Sequence, residues 1–207
     1  MKTSFSKFVL LISLVVSTSV FAEELPQSPS EIHPLIPGTS VPSGEVQTVE
    51  GDSALLTDLF GKGRSILIFY RGGWCPYCNK HLDDLQKYEQ DLIKLGYKVV
   101  AFSPDKPAKL AQVVDDESYY TLYSDSEMEA AKGFGVAYQV DAPMISMLKK
   151  YKIDLIEASG KKHQQLPVPA VFIIDDGVVE FTYVNPDYKT RLSGEVLLAA
   201  AKFAKKN

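Results

Sequence analysis

The chain has 207 residues, 45% hydrophobic and 23% charged, with 13 glycines and 12 prolines. That balance describes one globular domain and excludes collagen-like and disordered classes. A net charge of −4 and a pI near 5.4 exclude a large polyanion-binding surface, so nucleic acid is not an expected partner.

In chain order, Lys2 and Lys7 precede an apolar run over 8–16, and Val20 and Ala22 stand at −3 and −1 of a cut after Ala22. This pattern predicts a cleaved secretory signal peptide over 1–22. The run is shorter than the roughly 18–20 apolar residues of a membrane span, and no cysteine follows it to carry a lipid anchor. A periplasmic or secreted protein with no stable membrane association is the expectation. Residues 23–44 hold Pro26, Pro29, Pro34, Pro37 and Pro42, which predicts an extended lead-in.

Residues 45–207 alternate β-rich runs with helical patterns and predict one α/β domain. The runs 66–70 (ILIFY), 98–102 (KVVAF) and 170–174 (AVFII) are apolar almost throughout, as in strands covered on both faces. Between the first two, Leu82, Leu85, Tyr88, Leu92 and Leu95 step by three or four residues and predict an amphipathic helix closed by Gly96. Further helices are predicted over 106–114, 127–134, 144–151 and 194–203. Asp115, Asp116 and Glu117 read as a charged loop, and Met144, Met147 and Leu148 as a core stripe. Residues 178–183 pair with the third run through Asp175-Asp176-Gly177, a hairpin signal.

The two cysteines, Cys75 and Cys78, are too few for a four-cysteine zinc site or a multi-disulfide scaffold. They stand where a central strand runs into a helix, in Arg71-Gly72-Gly73-Trp74-Cys75-Pro76-Tyr77-Cys78. Positions i and i+3 of a first helical turn bring the two sulfurs within disulfide reach. Pro76 suits that turn, where its missing amide has no partner, and the helix N-terminus stabilises a thiolate. A purely structural disulfide over so short a loop gains little. A metal site on Cys75, Cys78 and His81 lacks a fourth ligand, and haem attachment needs a histidine where Asn79 stands. Thiol redox chemistry is the reading that remains, and in an oxidising compartment such a pair rests as a disulfide until reduced. Pro169 directly precedes a buried strand, well placed to be cis and to present the Val168 backbone to the site.

On these residues the chain resembles the peroxiredoxin-like branch of the alkyl hydroperoxide reductase/thiol-specific antioxidant family, within the thioredoxin-fold superfamily. The resemblance runs from Pro37 to the C-terminus. It rests on Ile36-Pro37-Gly38, on 55–69 and 70–78, and on Tyr123-Ser124-Asp125 and Phe134-Gly135-Val136. Beyond those it uses 166–175 (LPVPAVFIID) and Tyr183-Val184-Asn185-Pro186-Asp187-Tyr188. It implies a thioredoxin fold, with a central mixed sheet flanked by helices, and places the peroxidatic cysteine at Cys78. The chain departs from the usual motif: Cys75 fills the threonine slot, Arg71 the proline slot, and Pro169 the place of an active-site arginine. Arg71 or Arg191 is the candidate replacement for that positive charge. The Cys-Pro-Tyr-Cys string is shared with glutaredoxins, but the other segments are not.

Three functions stay open at this point. The first is a thiol peroxidase in which Cys78 reduces hydrogen peroxide or an alkyl hydroperoxide, Cys75 resolves the product, Arg71 holds the thiolate, and a thioredoxin-like protein restores the dithiol. It requires no metal, flavin or haem cofactor. The second is a protein thiol–disulfide oxidoreductase with Cys75 as nucleophile and the Pro169 loop as a backbone clamp. The third is a binding module with an inert disulfide. Trp74 beside the pair and Tyr70 at the strand end are candidate lining residues. His81 reads as a solvated helix residue, Asp83 and Asp84 as a charged helix face, and His163 as a loop residue approaching the site.

Overall fold

Strict alternation along the central strands sets the architecture. In β3 (Arg64–Phe69) Ile66 and Ile68 point to one face of a sheet, and Leu67 and Phe69 to the other, all at most 1% exposed. The same division holds in β4 (Tyr97–Ser103) and β8 (Ala170–Asp175). Both faces are therefore buried, as the unbroken apolar runs predict. The structure is a computed structural model and describes residues 24–113 and 119–204. The signal segment 1–22 and the charged loop residues Asp115, Asp116 and Glu117 lie outside the described residues.

The seven-stranded sheet has the order β2-β1-β5-β4-β3-β8-β9. β3, β4 and β5 (Tyr120–Ser124) are parallel, whereas β8, β9 (Val178–Val184), β1 (Glu45–Gln47) and β2 (Ser53–Leu55) pair antiparallel. β8 and β9 are joined by Asp176 and Gly177 at φ 43° and 79°, the doubly left-handed turn the Asp-Gly dipeptide predicts. A second, two-stranded sheet pairs β6 (Ala137–Gln139) with β7 (Gln165–Pro167).

Helices α2 (Pro76–Gln86), α3 (Glu89–Lys94) and α8 (Gly194–Ala204) cover one face, and α1 (Leu56–Phe60) and α5 (Glu129–Gly133) the other. The short helices α4 (Pro107–Leu110), α6 (Ala142–Lys150) and α7 (Leu155–Ser159) fill the connections. No helix among the described residues is long and apolar enough to cross a membrane. Residues 24–44 turn at Ser28–Glu31 and Ile36–Thr39 and are sewn to the core: Leu35 N–H donates to Phe134 O, Gly38 N–H to Val179 O, and Val41 N–H to Gly177 O.

Two expectations are corrected. The single helix predicted over 82–95 is two helices, because Lys87 and Tyr88 donate to the carbonyls three residues back and Tyr88 leaves helical geometry at ψ 1°. The break turns the Tyr88 ring onto Gly194, where a Cβ would stand 2.2 Å from the ring. The Val168–Pro169 bond is trans, since the described residues contain no cis peptide. Val168 N–H is committed to Val136 O at 2.8 Å, so it is not free to clamp a substrate strand.

Phe69 holds the second face together. Its ring meets Phe102, Phe134 and Phe172 at centroid distances of 5.6, 5.4 and 6.0 Å. Phe69→Ala removes a fully buried ring and leaves a cavity, so stability is expected to fall by about 3–5 kcal/mol. Urea unfolding of the reduced protein checks this: the midpoint drops while the slope is unchanged.

Candidate active site

β3 passes through Tyr70 and Arg71 into the loop Gly72-Gly73-Trp74, which delivers Cys75 to the N-cap of α2. Gly72 sits at φ +135° with the Trp74 indole against it, and a Cβ there would lie 2.3 Å from Nε1. Only glycine fits both demands. Gly73 N–H donates to Asp105 Oδ2 at 2.8 Å, and Asn79 Nδ2 to Gly73 O at 3.1 Å. These bonds fasten the loop to the end of β4 and to α2. Burial raises the Asp105 carboxyl above its usual range, and the Gly73 amide opposes that rise.

Both cysteines are free thiols and each is 1% exposed. Cys78 and Asn79 N–H groups donate to Cys75 O, closing the first turn of α2 at 3.0 and 3.1 Å. The Cys75 thiol is lowered to about 6, mainly because the Cys78 S–H donates to its sulfur; burial opposes this, while the Cys78 amide and the charges of Arg71 and Arg191 add to it. Cys78 is raised by burial and by its bond to Cys75, against the pull of Arg191 and of the Arg71 amide. The pair thus gives up one proton easily and holds the second. Thiolate absorbance of the reduced protein is expected to appear with a midpoint near pH 6, with the thiolate present above it and lost below, and Cys75→Ser removes that step. A midpoint near the ordinary cysteine value of about 8.5 would contradict this assignment.

Arg191, between β9 and α8, places Nη2 3.4 Å from Cys78 Sγ. Arg71 lies elsewhere: its guanidinium sits 4.1 Å from the Tyr188 ring centroid and 5.2 Å from that of Trp74, and its charge bears on Cys75. The cation touching the Cys78 sulfur is therefore Arg191, and Arg71 reaches that sulfur through its backbone amide.

The remaining candidates divide. Tyr70 is buried among the cysteines rather than lining an opening, and burial pushes its phenol well above the usual range. Trp74 packs against the same cluster. Val168 and Pro169 line a cleft with Arg71. His81 is not solvated: it is 7% exposed, and burial together with the Arg191 charge lowers it to about 4, so it is neutral at pH 7. Its position on one stripe with Cys78, Leu82 and Leu85 is the signal that could have shown this. His163 is occupied, accepting from Gln165 N–H at Nδ1 (2.9 Å), which leaves Nε2–H to donate to Ser126 O (2.8 Å). Asp84 accepts from Gly194 N–H at 3.1 Å and from Lys87, tying α2 to the start of α8.

Residues 37–182 match the AhpC/TSA family, which leaves Arg191 beyond the matched segment. Peroxiredoxin Bcp of Escherichia coli K12 is 31% identical over 106 residues, 51% of this chain and 67% of that protein. A peroxiredoxin-type protein of Mycobacterium tuberculosis is 33% identical over 102 residues, 49% of this chain. The chain spans 64% of the length of that curated relative. Among solved structures, reduced Prx3 of Vibrio vulnificus in complex with hydrogen peroxide superposes with a TM-score of 0.65 at 17% identity, covering 81% of this chain and 99% of that one. The fold is thus the thioredoxin fold in its peroxiredoxin-like form, and the chain belongs to the AhpC/TSA family.

Proposed function

We propose that this protein is a thiol-dependent peroxidase that reduces hydrogen peroxide or an alkyl hydroperoxide at its cysteine pair. The observation that carries the reading is the Arg191 guanidinium 3.4 Å from the sulfur of Cys78, the cysteine in the family's peroxidatic position. Cys78 passes its proton to the Cys75 thiolate it is hydrogen-bonded to, and the Cys78 thiolate so formed attacks the terminal peroxide oxygen; the O–O bond breaks, and the alkoxide, or hydroxide from hydrogen peroxide, takes a proton from water and leaves as alcohol or water. Arg191 faces the negative charge that passes from sulfur to oxygen in that step. Cys75, which now holds the proton from Cys78, gives it to the departing hydroxide as it attacks the sulfenic sulfur; water leaves and a Cys75–Cys78 disulfide forms. An external dithiol, a thioredoxin-like protein by the chemistry of the exchange, reduces it by two electrons. The peroxiredoxin name of the Escherichia coli relative and the peroxide held by the Vibrio structure support the substrate class. The leader over 1–22 supports export to the periplasm.

The low value of Cys75 at the helix N-terminus supports a second reading, in which Cys75 attacks protein disulfides. Stopped-flow mixing of the pre-reduced protein with peroxide, beside mixing with a protein disulfide, separates the two. Peroxide consumed faster than by free thiol establishes the first. Sluggish peroxide oxidation with rapid disulfide exchange replaces it with the second.

A further inference from the structure

Arg71 is 2% exposed, yet among the described residues no carboxylate lies within 4.0 Å of its guanidinium. It is held instead by soft contacts: the Tyr188 ring, the Trp74 ring, Met144 Sδ 4.0 Å from Nη2, and the Tyr138 hydroxyl. Its Nε is buried with no acceptor. A guanidinium taken out of water without a counter-charge is costly unless an anion completes the site.

Arg71 also lines an open cleft of about 120 Å³ with Tyr138, Met144, Pro169, Pro186 and Tyr188. Asp141 is the acid among the lining residues, and its Oδ1 is committed to the Met144 N–H at 2.8 Å, capping α6. The cleft therefore presents one cation, Arg71, one carboxylate, Asp141, engaged at the start of α6, flat aromatic and proline walls, and no second cation among its described lining residues. That combination fits a planar monoanion on an apolar chain, a carboxylate, better than a phosphate, which draws several donors.

We propose that this cleft binds the carboxylate of an organic substrate through Arg71, with the substrate's apolar part against Tyr188, Met144 and Pro169. The assignment deepens the peroxidase reading and rests on it for its role in turnover. Arg71 opens the loop that carries Cys75 and its charge bears on that thiol, which links the cleft to the pair although neither cysteine lines it. Two sources supply this chemistry: a carboxylate-bearing hydroperoxide as oxidant, or a carboxylate-bearing thiol as reductant.

Trp74 is the single tryptophan of the chain and lies 5.2 Å from the guanidinium, so its fluorescence reports occupancy without any turnover. The reduced protein is titrated with hexanoate and, in parallel, with hexanamide. A saturable change with hexanoate, at least about ten-fold weaker with the amide, is expected from loss of one charge-assisted contact. Arg71→Gln should weaken hexanoate binding to a similar extent, and Arg71→Lys should restore part of it. Equal responses to the two ligands, or unchanged hexanoate binding in a folded Arg71→Gln protein, overturn the proposal. The wild-type comparison of acid and amide decides the matter even where the glutamine variant fails to fold. It also stands if the peroxidase reading fails, because no peroxide is used.

Two kinetic arms then identify the source. Fatty-acid hydroperoxide against its methyl ester tests the oxidant, and 3-mercaptopropionate against 2-mercaptoethanol, each at its thiolate concentration, tests the reductant. A carboxylate preference in either arm that disappears in Arg71→Gln assigns the source; no preference in both overturns the role in turnover.

Discussion

Cys78→Ser is expected to lose peroxide consumption by on the order of 10³-fold or more, because the attacking atom itself is removed. Cys75→Ser behaves differently. It should consume one equivalent of peroxide per chain and stop, with a sulfenic acid trapped at Cys78, because the resolving thiol is gone. Mass spectrometry after labelling with a sulfenic-acid-selective reagent reads both outcomes. The reverse pattern, with Cys78→Ser still reacting and Cys75→Ser silent, would transfer the nucleophile to Cys75. Both sulfurs are buried beside Arg191, and their exchange of a proton makes this order of events a matter of which sulfur the peroxide meets.

The second large effect concerns Arg191. Arg191→Met should slow peroxide oxidation of the reduced protein by about 10²–10³-fold, the usual cost of removing one preorganised donor from developing charge. Arg191→Lys should recover part of the rate, since a point charge replaces a planar donor. A readout insensitive to packing accompanies the rate. The Arg191 charge helps to hold His81 at about 4, so the methionine variant should move the His81 titration upward, visible by NMR of the imidazole protons. An unchanged peroxide rate with a shifted His81 would leave Arg191 a neighbour of the site without a part in it.

Much of the frame was legible in the chain itself. The three apolar runs became β3, β4 and β8 because a strand buried on both faces needs no polar alternation. The Asp-Gly pair closed its hairpin, and the cysteines lie at the strand-to-helix junction that Pro76 marks. The short strands β1 and β2 escaped notice because three residues each are too few to show a period. The break between α2 and α3 lay hidden inside a continuous apolar stripe, and the Gly194 on which the Tyr88 ring packs there lies more than a hundred positions downstream. Arg191 was named only as one of two candidate cations. It sits in a polar loop without periodicity, and only the docking of α8 brings it to Cys78. Arg71 was assigned to the thiolate by adjacency in sequence, yet side chains alternate as the chain leaves β3: Tyr70 packs with the cysteines, and Arg71 turns to Tyr188 and Met144.

The bond between Arg191 and Cys78 joins positions 113 residues apart. The segment that supplies the arginine is fixed from three sides: Asp84 holds Gly194, the Tyr88 ring covers it, and Tyr97 Oη donates to Ala201 O at 3.0 Å. A chain made from its N-terminus completes the cysteine loop and most of the sheet before that last helix exists. The pair acquires its arginine only when α8 docks. Under the proposed function, reactivity toward peroxide becomes a late signal of complete assembly, and any truncation ahead of Arg191 leaves Cys78 without the guanidinium that touches its sulfur.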